Sequence, residues 1–130
     1  MADAGLTGRV LVTGFRRDVA NYMAALEVLV HAPVNPEPFG RVLLEGMALR
    51  KPLVASNGGA VPEIAVDGEI GLLFTPGDSE SLAERLLELL GDRERLERMG
   101  QAGFRRLSGE FTIAHNLRTT QKLFDTVLAS

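Results

Sequence analysis

The sequence predicts an α/β fold with a parallel sheet of about four strands and a C-terminal helical tail, on three observations. Short apolar, β-branched runs bounded by Gly or Pro alternate with amphipathic stretches up to Asp78. From Ser79 onward only helical periodicity remains, and no repeat or linker divides the chain. At 130 residues there is room for one core, and the whole of 1–130 is expected to form a single domain.

The elements follow in order. Arg9–Thr13 (RVLVT), between Gly8 and Gly14, is expected to be the first strand. Val19, Tyr22, Met23 and Leu26 recur at helical spacing behind Asp18 as N-cap, and EVLVHA is then a second strand closed by Pro33. The Pro-rich stretch 33–38 leads through Phe39-Gly40 into a helix from Arg41 to Leu49, which Lys51-Pro52 stops. PLVAS is a third strand, followed by the Asn57-Gly58-Gly59 turn and a short helix near Pro62–Val66; Gly71–Phe74 is a fourth. Pro76-Gly77-Asp78 supplies a turn and an N-cap, with Ser81 and Glu84 as a further capping pair. Three helices close the chain, marked by Leu82, Leu86 and Leu89, by Leu96, Met99 and Leu107, and by Ile113, Leu117, Phe124 and Val127. Strands alternating with helices imply right-handed βαβ units and a parallel sheet, finished by a helical tail.

Composition removes several function classes. Fourteen basic against seventeen acidic residues, net −3, leave no basic field for nucleic acid or anionic lipid. The absence of cysteine excludes disulfides and thiolate metal sites, and His31 and His115 are too distant in sequence to suggest a metal pair. The opening lacks a signal-peptide pattern and no apolar run approaches the roughly 18 residues of a membrane span, so a cytoplasmic location is expected and membrane contact is not indicated.

The most informative stretch is EPFGRVLLE, in which Glu37 and Glu45 stand eight positions apart across a helix start. A loop feeding a helix N-terminus presents free N–H groups and positive dipole, a seat for a phosphate, and Gly40 lets a ligand approach the backbone. Glu37 stands at the mouth and Glu45 deeper on the helix, where a carboxylate can accept two hydrogen bonds from a sugar diol. From pattern alone, Glu37 as a plain helix cap and Glu45 as a solvated residue explain the stretch as well. Glu63 is expected to be a cap anchoring the Gly58-Gly59 turn, His115 to be boundary packing, and His31 to bond locally although it could reach the same pocket.

EPFGRVLLEGMALRKPLVAS resembles the E-x7-E signature of retaining GT-B glycosyltransferases of group 1, and VLVTGFRRDV, EVLVHAPVNPEPFG and PLVASNGGAVPEIAVDGEIGLLFTPGD resemble that family's flanking motifs in order. The resemblance covers about residues 9–129; Val34, Pro38 and Gly46 depart from the usual Ser, Gly and Ala. It implies that Glu37 contacts the donor sugar near its anomeric centre, favouring an oxocarbenium-like state. The amides of Phe39, Gly40 and Arg41 would hold sugar hydroxyls or diphosphate oxygens. Glu45 would bind the ribose diol, and Gly14, Phe15 and Arg16 would lie near the nucleobase. A nucleotide sugar is the implied substrate, with no cofactor and no metal.

The same resemblance implies a truncated C-terminal, donor-binding domain, because the family carries an acceptor domain and two further βα units before RVLVT. Little turnover is then expected from the chain alone. In a doubly wound sheet of order 3-2-1-4-5-6, loss of strands 1 and 2 opens the edge of EVLVHA. Either RVLVT moves into the gap, or a second copy or a complementing chain covers it, and the latter is expected, alone or together with the first. A non-catalytic module paired with another chain is the rival reading, and a flavodoxin-like regulatory domain ranks last for want of an acidic cluster.

Overall fold

The structure, a computed structural model, describes residues 5–129. Its elements run α1 (Val19–Ala24), β1 (Leu29–His31), α2 (Arg41–Ala48), β2 (Leu53–Ser56), α3 (Val61–Ile64), β3 (Gly71–Phe74), α4 (Ser79–Leu90), α5 (Arg93–Glu110) and α6 (Ile113–Leu128). The sheet is three-stranded among the described residues, all parallel, in the order β1-β2-β3. Leu29 lies opposite Leu53, and Leu53 opposite Gly71.

Burial explains why these runs became strands. Every residue of β2 is buried, as a central strand covered on both faces should be. Its alternation sorts the core into two layers. Leu53 and Ala55 join Leu29, Leu43, Met47, Val61 and Ile64 on one side. Val54 joins Leu72, Phe74, Leu89 and Met99 on the other.

The expected first strand does not form. Residues 10–14 adopt no regular structure and join no strand ladder among the described residues, and Leu11 and Val12 are 81% and 71% exposed. A strand is stabilised by ladder hydrogen bonds and cross-strand side chains, and RVLVT has no neighbour that supplies either. Among the described residues the sheet therefore has three strands rather than about four, RVLVT does not move in beside β1, and β1 is an edge strand whose Val30 is 41% exposed.

Two caps also differ from expectation. Asp18 makes no side-chain cap on α1 because its carboxylate is taken by Arg16, at 3.0 and 3.1 Å. Asp78 alone caps α4, accepting from the amides of Glu80 and Ser81, both at 3.0 Å. Ser81 Oγ instead accepts from the Thr75 amide at 3.3 Å, so no Ser81–Glu84 box closes. α2 ends one turn before Pro52, with Arg50 at φ 54° and the Lys51 amide donating to the Gly46 carbonyl at 2.9 Å.

Candidate functional site

In a parallel sheet the loops at the carboxyl ends of the strands converge on one edge, where ligands bind. Here three such loops lock together. Ser56 Oγ, at the end of β2, donates to the Pro33 carbonyl at 2.9 Å. The Ala60 amide donates to the Glu37 carbonyl at 2.9 Å, and the Asn57 amide to the Phe74 carbonyl at 2.8 Å. The hydroxyl that fixes the β1–α2 loop, beside Val34, thus comes from β2.

Gly59 makes this clamp possible. Its φ is 59°, and a Cβ there would collide with the backbone of Glu37. The Gly-Gly turn, which the sequence marks only as a turn, is the wall against which Glu37 is held. Glu63 is not that anchor: its side chain is exposed on α3 and its carboxylate makes no hydrogen bond among the described residues, while its backbone amide donates to the Ala60 carbonyl at 3.1 Å and its carbonyl accepts from Arg106 Nη2 at 2.9 Å.

The mouth of α2 is an amide cradle already filled by an anion. Gly40, at φ 75°, is the N-cap and carries no side chain to satisfy the free amides. Glu37 Oε1 does so from three residues upstream, accepting from the Gly40 amide at 3.1 Å and the Phe39 amide at 3.4 Å. Leu43 closes the first turn onto the Gly40 carbonyl at 2.9 Å, so Arg41 and Val42 are the helix amides without an intrahelical acceptor. The second oxygen, Glu37 Oε2, stands 3.6 Å from His31 Nε2 at the end of β1. That nitrogen is buried and has no hydrogen-bond partner.

Deeper on α2, the core face is Leu43, Gly46 and Met47. Glu45 lies on the solvent face, one turn below Arg41, and both are exposed. No ion pair joins Arg41 and Glu45 among the described residues, so both side chains remain available to a ligand. Phe39 is 53% exposed and lines a groove of about 510 Å³ between α2 and the start of α6, with Leu44, Phe111, Ile113 and Leu117. Glu37 and Glu45 do not line that groove.

The structure thus brings Glu37, Phe39, Gly40, Arg41 and Glu45 to one helix start. Gly14, Phe15 and Arg16 are not tied to it by any hydrogen bond or ion pair among the described residues. They sit exposed before α1, Phe15 at 89%, with the Arg16 guanidinium 5.0 Å over the Tyr22 ring and bonded to Asp18. His115 is half-buried and lines the same groove as Phe39, and its backbone amide donates to Thr112 Oγ1 at 3.1 Å. No cluster of three metal-ligating side chains occurs among the described residues, and no helix among them is long and apolar enough to cross a membrane.

A parallel sheet with helices on both faces, whose strand-end loops converge on a helix start, defines part of a doubly wound α/β domain. A family model described as glycosyl transferases group 1 matches residues 1–106, and the chain belongs to that family. The lipopolysaccharide core biosynthesis mannosyltransferase LpsB of Rhizobium meliloti (strain 1021) is 31% identical over 130 residues, covering 98% of this chain and 37% of LpsB. The crystal structure of HepE from Anabaena in complex with UDP and glucose superposes with a TM-score of 0.87 at 33% identity, covering 95% of this chain and 34% of HepE. The C-terminal domain of a group 1 glycosyl transferase, LpcC from Francisella tularensis, matches with a TM-score of 0.75 at 30% identity over 86% of this chain and 58% of that domain. The fold is therefore that of the GT-B C-terminal domain, and the chain spans about a third of the length of the curated relatives it matches.

Proposed function

We propose that this chain is the donor-binding part of a glycosyltransferase that takes a nucleoside diphosphate sugar and, in the whole enzyme, transfers the sugar with retention at the anomeric carbon. The observation that carries the reading is the Glu37 carboxylate lying on the Phe39 and Gly40 amides. A cradle that holds the chain's own anion can hold the oxygens of a sugar or diphosphate. Binding of UDP and glucose by HepE, whose fold this chain shares at 33% identity, supports a ligand of that class.

In this reading Glu37 moves off the amides as the donor enters and puts its charge beside the anomeric centre, where positive charge develops. The amides of Phe39, Gly40 and Arg41 take donor oxygens, and the exposed Glu45 accepts the ribose hydroxyls. The Gly14-Phe15-Arg16 turn flanks the nucleobase, with the exposed Phe15 ring as a stacking surface. Leaving-group charge falls on the start of α2 and on Arg41, so the reading calls for no metal.

Calorimetric titration of the chain with UDP, GDP and ADP tests this. One diphosphate should bind, chelator should leave the affinity unchanged, and Glu45→Ala should weaken it by roughly 1.5–3 kcal/mol. Equal affinity in the Glu45→Ala variant removes Glu45 from the site; binding that vanishes with chelator replaces the helix-start account with a metal. Sugar transfer by the isolated chain should be slight.

A second reading, a non-catalytic module whose β1 edge pairs with a second copy or with another chain, is favoured by that open edge and by the exposure of Val30, Leu11 and Val12. Light scattering that finds a strict monomer at high concentration rejects the homodimer.

A further inference from the structure

The cradle leaves one group unexplained. His31 Nε2 is buried without a hydrogen-bond partner, and it points its unsatisfied capacity at Glu37 Oε2 from 3.6 Å. A buried polar nitrogen normally finds a partner, and 3.6 Å is too long for a made hydrogen bond but inside ion-pair range. Glu37 cannot serve both sides fully. Its Oε1 already holds two amides, the Phe39 contact at 3.4 Å being at the weak end. A shift of the carboxylate toward the imidazole completes the His31 bond while loosening the amides.

We propose that His31 is a positioning residue for Glu37, a second berth for the carboxylate that is taken up when the phosphate or hydroxyl oxygens of a ligand claim the Phe39 and Gly40 amides. The inference rests on the donor reading above and deepens it. Displacing a carboxylate from its amides into a partly closed mouth is costly unless another donor receives it. His31 supplies that donor, as the Nε2–H tautomer or as the cation. The backbone of Glu37, held by Ala60 and Gly59, stays in place while the side chain exchanges partners. The result is a two-position carboxylate: capped on the helix start when empty, and held beside the sugar by the imidazole when loaded.

The test is a double-mutant cycle on the intact chain, read by titration with whichever of UDP, GDP or ADP the wild type binds most tightly. His31→Leu should weaken binding about tenfold, the scale of one charge-assisted hydrogen bond, and His31→Gln, which can still donate near the Nε2 position, should recover most of it. In a Glu37→Ala background, His31→Leu should cost nothing further. Thermal unfolding of each variant controls for folding. Without ligand, the His31 imidazole 15N resonances should move on Glu37→Gln. Equal losses from His31→Leu in both backgrounds, unchanged binding by His31→Leu, or imidazole resonances indifferent to Glu37 overturn the assignment while leaving the donor reading intact. A wild-type chain that binds none of the three diphosphates overturns the donor reading and the ligand-driven exchange together.

Discussion

RVLVT and LVAS are the same kind of sequence and meet opposite fates. Residues 9–13 and β2 are both short, mostly apolar runs, yet Leu53 and Val54 are fully buried while Leu11 and Val12 are 81% and 71% exposed. The difference lies in the neighbours. β2 has a parallel partner on each side and helices over both faces. RVLVT has no partner, so its propensity buys nothing. Strand propensity records how well a side chain fits a pleated, half-buried surface, and without that surface it has no meaning.

A matched pair of truncations gives the largest expected effect. Leu53→Ala should destabilise the fold by about 2–5 kcal/mol. Leu11→Ala should change stability by less than about 0.5 kcal/mol. Urea unfolding of the two variants reads the contrast directly, and a Leu11→Ala loss comparable to that of Leu53→Ala would mean that residues 9–13 pack into a core in solution.

Gly59→Ala probes the clamp rather than the sheet. The left-handed φ and the collision with the Glu37 backbone together should cost about 1–3 kcal/mol, and the Phe39 and Gly40 amide resonances should move with the displaced carboxylate. A stable variant with unmoved amides would show that the 57–60 turn does not hold the cradle.

The same contrast explains what was legible in the sequence. Every element that packs on β2 announced itself: α2 by its apolar face between Gly40 and Pro52, β3 within its bounding turns, α4 behind Asp78. Those signals are local, and the core rewards them. The failures came where a local signal needed a distant partner. RVLVT needed an adjacent strand; Asp18 failed for the opposite reason, a competing partner only two residues away in Arg16. At the site, the Glu37–Gly40–Glu45 spacing was readable because a helix start dictates it. The Ser56–Pro33 and Ala60–Glu37 bonds were not, because they join loops 23 residues apart in both cases. The approach of His31 to Glu37 is illegible for a related reason: a strand-end histidine is expected to bond locally and carries no mark of what the next loop folds over it.

Two aspartates at helix starts sharpen the comparison further. Asp78 holds two amides of α4, and Asp78→Ala should cost about 1 kcal/mol. Asp18 holds none, and Asp18→Ala should leave thermal stability unchanged. Helix loss in α1 on Asp18→Ala, seen by amide exchange, would restore Asp18 as a cap.

The smallest effect expected is one of pH. Two carboxyls are held below their ordinary values, Asp18 by the hydrogen-bonded Arg16 and Glu88 first by Arg95 and then by Arg85. Only a shift that differs between folded and unfolded chains contributes to stability. Arg16 is two residues from Asp18 and remains beside it when the chain unfolds, so that depression largely persists and cancels. Arg95 reaches Glu88 across the α4–α5 turn at 2.8 Å, and this arrangement is lost on unfolding. The Glu88 contribution is therefore fully present above its ordinary carboxyl range and is lost as pH falls below about 4.5 through the lower folded value. Both side chains are partly exposed at the surface, which keeps the effect within roughly 0–1 kcal/mol and makes it shrink with salt. Glu88→Gln should flatten the acid limb of a stability–pH curve and Asp18→Asn should not. A flattening by Asp18→Asn instead would mean that residues 9–18 hold structure which the unfolded chain gives up.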